Sequence, residues 1–244
     1  IELLKHQGHR VATYTWGDPA QQPLVLLAHG WSSFGLRFTP WVRALRQAGY
    51  AVATFDQLAH GRSSGRRATL PSFAETLYQV AHHYGPLHAV VGHSLGGAAT
   101  MLALSRGMAA ERVVLVAPAA DPMAAADRFG SAVGLAPSLR THLFDEFERR
   151  FRMRVAGMQA HVNVPYLARP ALVVHDIEDR EVPWSEGERY ARYWPQARLL
   201  STTGLGHHRI AMQPEVIADA LRFLAGERVG ERVVSTPDLP FGVA

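Results

Sequence analysis

The 244-residue sequence predicts an α/β chain with a mostly parallel central sheet, helices on both faces and a small helical cap. Three observations carry that expectation. Short aliphatic runs alternate with segments of helical periodicity. One such run is followed directly by Gly92-His93-Ser94-Leu95-Gly96 and a helix-like stretch. The order of the remaining strands brings an aspartate and a histidine to the same sheet edge as Ser94.

Val11 to Trp16 alternates as an early strand and stops at Gly17-Asp18-Pro19. Pro23 to Ala28 is continuously apolar, as expected of a buried strand, and ends at His29-Gly30-Trp31. Trp41, Val42, Leu45 and Ala48 share one helix face before Gly49, and Tyr50 to Phe55 is the next buried strand, ending at Asp56. Phe73, Leu77, Val80 and Ala81 recur at helical spacing up to Gly85-Pro86. Leu87 to Val91 leads into the serine turn, and Arg112 to Ala117 is a further strand closed by Pro118. Ala171–His175 and Ala197–Ser201 complete the strands, with helices over about 185–193 and 214–224. Residues 121–164 break this rhythm: they read as helical, with Leu139, Leu143, Phe147 and Phe151 at four-residue steps. They are expected to rise as a cap above the carboxyl edge of a core formed by residues 1–120 and 165–244. The turn-rich stretch from Glu227 to Ala244 reads as an edge segment or tail.

Composition excludes several functions. The chain has no cysteine, hence no disulfide, thiolate metal site or cysteine nucleophile. Its formal charge of +4 rests almost wholly on arginine, with Lys5 the only lysine. The arginines are scattered, with pairs at Arg66-Arg67 and Arg149-Arg150, so no nucleic-acid partner is expected. No apolar run is long enough to span a bilayer, and no histidine spacing suggests a metal site. A cytoplasmic location is the default expectation. The sequence starts at Ile1 without a methionine, which leaves room for an upstream segment. Oligomeric state is left open.

Gly-x-Ser-x-Gly between a strand and a helix pushes a serine oxygen out at the strand's carboxyl end and turns helix N–H groups towards it. A serine hydroxyl needs a base, and the base needs an orienting acid. Asp179 lies just past the Val173-Val174 strand and His207 just past Leu199-Leu200, in the chain order expected of this arrangement. Asp121 is an alternative acid and His208 an alternative base, while Asp176 reads as a solvated loop acid.

These motifs resemble the α/β-hydrolase superfamily, in its branch of serine esterases, lipases and thioesterases. The resemblance is carried by His29-Gly30-Trp31, Asp56 with His60-Gly61-Arg62-Ser63, Gly92 to Gly97, Asp179-x-x-Val182-Pro183 and Gly206-His207. It implies a Ser94–His207–Asp179 triad and an oxyanion hole of the Trp31 and Leu95 backbone N–H groups. Two departures stand out: Asp176 occupies a position where the family often has glycine, and Leu58-Ala59 replaces Pro-Gly before His60-Gly61. His29 and His60 read as braces of their loops, and His93 as packed beside the nucleophile. Phe129, Phe144, Phe147 and Met158 could line an acyl pocket or simply glue the cap to the body. Arg149, Arg150, Arg152 and Arg154 read as a solvated face, with a grip on an anionic substrate as the alternative.

The expected activity is hydrolysis of small-to-medium acyl esters or thioesters through an acyl-enzyme, with no cofactor and a small-molecule partner. The same triad would also serve a carbon–carbon bond hydrolase or a perhydrolase. A ligand sensor on the same fold is the alternative outside enzymes.

Overall fold

The computed structural model describes residues 1–233, apart from the side chains of Pro137, Arg140 and Phe151. The strands are β1 Glu2–His6, β2 His9–Trp16, β3 Leu24–Ala28, β4 Ala51–Phe55, β5 Ala89–His93, β6 Arg112–Val116, β7 Ala171–Asp176 and β8 Ala197–Thr202. They form one sheet in the order β1-β2-β4-β3-β5-β6-β7-β8. Pairs from β4 through β8 are parallel, whereas β2 runs antiparallel to both β1 and β4. Strand β1 was not anticipated. Its mark in the sequence is Gln7-Gly8, whose positive φ values of 46° and 77° close a two-residue hairpin on the His6–His9 pair.

The helices are α1 Thr39–Gln47, α2 Leu70–Tyr84, α3 Leu95–Ser105, α4 Pro122–Ala132, α5 Pro137–Phe151, α6 Ala160–Asn163, α7 Trp184–Tyr193, α8 Gly206–Arg209 and α9 Pro214–Leu224. Alternate residues of the inner strands feed two cores. Val25, Leu27, Val91, Val114 and Val174 meet α1 and α9 on one face. Leu26, Val90, Leu115 and Val173 meet α2, α3 and α7 on the other. Burial on both faces is why these strands read as unbroken apolar runs and not as alternating ones.

Between β6 and β7 the described residues contain helices and turns only. The chain leaves the sheet at Ala120 and returns at Ala160, where the Ala160 N–H donates to the Ala120 carbonyl at 2.8 Å. Val155, Met158, Ala160 and Val164 are buried, and the four-residue steps of Leu139, Leu143 and Phe147 fall in helix α5. Along α5, Phe144 and Phe147 pack against the core, while Leu139 and Leu143 are 44% and 52% exposed. Phe151 lies, as a side chain, outside the described residues. Of the stretch from Glu227 onward, Glu231 and Leu199 exchange backbone hydrogen bonds at 2.7 Å, so the segment adds to the β8 edge. Residues 234–244 lie outside the described part.

The contact that seats the serine turn is the approach of α3 to the end of β3. A Cβ on Gly96 would stand 2.3 Å from the Ala28 carbonyl oxygen and 2.5 Å from that of His29. Both are backbone atoms and cannot swing away. Gly96→Ala is therefore expected to cost roughly 3 kcal/mol. Gly157→Ala, where a Cβ meets nothing within 4 Å, should shift stability by less than about 1 kcal/mol. Chemical denaturation of the two variants checks this, and equal stabilities would refute the packing argument.

Candidate active site

Ser94 sits between β5 and α3 with φ 55° and ψ −123°, a conformation that costs a non-glycine residue about 1–3 kcal/mol. The turn is held by Ser94 N–H donating to the Val116 carbonyl at 2.9 Å and by the Ser94 carbonyl accepting from Gly97 N–H at 2.9 Å. Gly30 lies against it: a Cβ there would be 2.9 Å from the Ser94 Cβ and 3.4 Å from its Oγ. The His29-Gly30-Trp31 loop thus abuts the serine, which explains glycine in its middle.

His207, on α8 just beyond β8, brings Nε2 to 2.9 Å from Ser94 Oγ. Its Nδ1 lies 2.7 Å from Asp179 Oδ2, in the loop after β7. All three come from carboxyl ends of parallel strands of the same sheet, β5, β7 and β8, and both Asp179 and His207 are buried. Burial alone would raise the Asp179 carboxyl. Hydrogen bonds from His175, His207 and the Val182 N–H outweigh it and hold the group well below the usual carboxylate range. An ionised Asp179 takes the Nδ1 proton of His207 in its hydrogen bond, so Nε2 is left as an acceptor for the Ser94 hydroxyl.

The other candidate residues have different surroundings. Asp121 caps α4 through the Met123 and Ala124 N–H groups and also accepts from Gln159 and Arg189, so its oxygens are engaged away from His207. His208 is paired with the exposed Glu181 at 2.9 Å. The reading of Asp176 as a solvated acid is overturned. It is fully buried and accepts from the Thr202 hydroxyl at 2.7 Å, Glu178 N–H at 3.0 Å and Leu205 N–H at 3.1 Å. The reason is that β7 and β8 pair through Asp176 and Thr202, and this carries the carboxylate under the loop that presents His207. Its departure from glycine thereby becomes a brace. A further residue missed in the sequence is His175, fully buried on β7. Its Nε2 donates to the Val182 carbonyl at 2.9 Å and lies 3.4 Å from Asp179 Oδ2.

Three more histidines tie the loops together. His29 Nδ1 donates to the Gly30 carbonyl at 2.7 Å and Nε2 accepts from Gln57 N–H at 2.9 Å. His60 bridges the Leu58 carbonyl at 3.0 Å and the Ser32 N–H at 3.2 Å. His93 Nε2 donates to the His207 carbonyl at 2.9 Å, fixing the backbone beneath the imidazole. The Trp41 indole donates to the Ala211 carbonyl at 2.6 Å and anchors the segment after α8 from the opposite side. The backbone N–H groups of Trp31 and Leu95 donate to no acceptor among the described residues, and Leu95 opens the eleven-residue helix α3. Such free donors beside a nucleophile suit a developing oxyanion.

Next to Leu95 a cavity of about 390 Å³ opens beneath α4 and α5. Phe129, Phe144, Phe147 and Met158 all line it, together with Leu95 and Leu143. Met158 is deeply buried, whereas Phe129 is 67% exposed and stands at the mouth.

Burial pushes His29 down to about 4 and His93 down to about 3, from an ordinary 6.5. Below pH 6.5 the unfolded chain takes up these protons first, so stability falls as pH drops from about 6.5 towards 4. The lowered Asp179 carboxyl adds a loss only at lower pH, below the ordinary carboxylate value of 3.8. Thermal unfolding from pH 7.5 to 4.5 should show a fall on the order of a few kcal/mol. The slope should be shallower in His93→Gln and in His29→Gln. Parallel profiles for all three proteins would contradict the assignment of neutral, buried imidazoles.

Comparison with known proteins agrees with this architecture. Residues 19–149, more than half of the chain, match the family model described as serine aminopeptidase, S33. Over 83% of its length the chain is 29% identical to the magnesium-chelatase 30 kDa subunit of Rhodobacter capsulatus, and the match covers 85% of that protein. A shorter segment of 99 residues is 32% identical to the monoacylglycerol lipase of Mycolicibacterium smegmatis, covering 37% of this chain and 35% of the lipase. The crystal structure of a hydrolase from Pseudomonas aeruginosa PA01 superposes with a TM-score of 0.73 at 22% identity, covering 93% of this chain and 98% of that one. Among the described residues no helix is long and apolar enough to cross a membrane. The chain belongs to the serine aminopeptidase S33 family of α/β-hydrolases.

Proposed function

We propose that the protein is a serine hydrolase of carboxylic esters or thioesters, with Ser94, His207 and Asp179 as its triad. The observation that carries this reading is the continuous relay from Ser94 Oγ to His207 Nε2 at 2.9 Å and from His207 Nδ1 to Asp179 at 2.7 Å. Ser94 Oγ attacks the acyl carbon while Nε2 takes its proton. Asp179 keeps the imidazole in the required tautomer and stabilises the imidazolium that forms. The Trp31 and Leu95 N–H groups receive the oxyanion, each contributing about 3 kcal/mol to the barrier reduction. Nε2 then protonates the leaving oxygen or sulfur and activates the water that releases the acyl group. Residues 121–164 act as a cap, and the apolar cavity beneath them takes one arm of the substrate.

Esters are favoured over the amino-terminal peptides that the family description suggests. A peptide's terminal ammonium calls for a carboxylate beside the cleft, and none of the residues lining the cavities at Leu95 and at Trp31 is acidic. The relative named as a magnesium-chelatase subunit is matched along most of both chains. That favours a second reading, in which this chain serves a larger assembly and its hydrolytic turnover is secondary.

Hydrolysis of a chain-length series of p-nitrophenyl esters tests the first reading. Ser94→Ala should lower kcat by about 10⁶-fold and Asp179→Asn by about 10⁴-fold, both folding as the parent does. Wild-type turnover in Ser94→Ala would remove the assignment. Labelling of Ser94 by a fluorophosphonate without turnover of any ester in the series would move the assembly reading forward.

A further inference from the structure

Thr69 is a wall shared by two cavities of opposite character. On one side lies the apolar cavity beneath α4 and α5, in whose lining Thr69 is the only residue with a polar side chain. On the other lies a cleft of about 940 Å³ that begins at Trp31, next to Gly30 and hence to Ser94. Arg66 and Arg67 line this cleft from the loop between β4 and α2, and Arg150 lines it from α5. His60 and the hydroxyl residues Ser32 and Ser33 add polar groups, and no carboxylate lines it. Arg66 and Arg67 form no ion pair among the described residues.

The adjacent guanidinium groups of Arg66 and Arg67 repel one another and focus a positive potential in the concavity they line. A carboxylate or phosphate relieves that repulsion and matches the planar fork of arginine in two-point contact. The apolar cavity has the opposite demand, offering an alkyl or aryl arm a dry wall and little to pair with a charge. Ser94 adjoins both: it precedes Leu95, which lines the apolar cavity, and packs against Gly30, the residue before Trp31 of the cationic cleft.

We propose that the substrate is an amphiphilic anion whose apolar arm fills the cavity beneath α4 and α5 while a carboxylate or phosphate on its other arm is held by Arg66 and Arg67. The inference rests on the hydrolase reading only in placing the scissile bond at Ser94; the two-sided binding stands apart from turnover.

Binding is measured by calorimetry with ethers that carry no carboxylic ester or thioester: 4-(octyloxy)benzoate, 4-(octyloxy)phenyl phosphate and the neutral 4-(octyloxy)benzamide. At least one anion should bind wild-type protein about tenfold more tightly than the amide, and the tighter of the two names the charged group. In Arg66→Gln/Arg67→Gln the affinities for anion and amide should converge. Equal affinities of all three ethers for the wild type, or an anion preference unchanged in the double variant, would overturn the proposal. Turnover of 4-carboxyphenyl octanoate by wild type and Ser94→Ala is measured alongside. Anion preference without Ser94-dependent turnover would leave the cleft standing and remove the hydrolase reading. Turnover without anion preference would do the reverse.

Discussion

The whole site depends on one close approach, that of the start of α3 to the end of β3. Ser94 is held in a left-handed backbone conformation because the chain must reverse from strand to helix in one residue. Gly96 presses on the Ala28 and His29 carbonyls, and Gly30 presses on Ser94 itself. From this crowding follow the strained turn at Ser94, the start of α3 at Leu95 and the adjacency of the loop that carries Trp31. The cost of the strained residue is small beside the burial of two complete helix–sheet layers. The sheet can therefore sustain it without further compensation near the site.

Around that turn, the structure spends its buried polar groups on holding loops in place. Asp56 accepts from Tyr14, the Gly35 N–H and the Arg62 N–H, tying the loop after β4 to the loop after β3. Asp176 does the same for the loop after β8. His93 then grips the His207 backbone directly. Each of these groups has at least one main-chain partner, which ties it to a loop backbone. The histidine that faces Ser94 is thus oriented from three directions: by Asp179 at its ring, by His93 at its carbonyl and by Asp176 through the neighbouring Leu205.

Much of this was legible in the sequence because the physics behind it is local. Buried parallel strands announce themselves as aliphatic runs, and the glycines around Ser94 mark a turn with no room for side chains. The strand β1 was not legible: Glu2-Leu3-Leu4-Lys5-His6 has no clean alternation, and its order comes from pairing with β2. Asp176 was misread for a related reason. In the sequence it stands among acids in a loop, and only the pairing of β7 with β8 buries it. The spacing on α5 marked the helix itself, but helical periodicity reports an apolar face and not what that face meets. Leu139 and Leu143 meet solvent or the cavity rim, while Phe144 and Phe147 turn to the interior. The cationic cleft was invisible as a unit, because Arg66-Arg67 and Arg150 lie more than eighty positions apart.

The bond from Ala160 to Ala120 closes residues 120–160, between β6 and β7, into a loop whose two ends lie side by side. Evolution can lengthen, shorten or exchange such a closed loop at little entropic cost, since the penalty grows only slowly with loop length. Nothing in the relay of Ser94, His207 and Asp179 lies within it. A graft of a different segment across the Ala120–Ala160 junction would replace α4 and α5 while leaving the serine turn as it is.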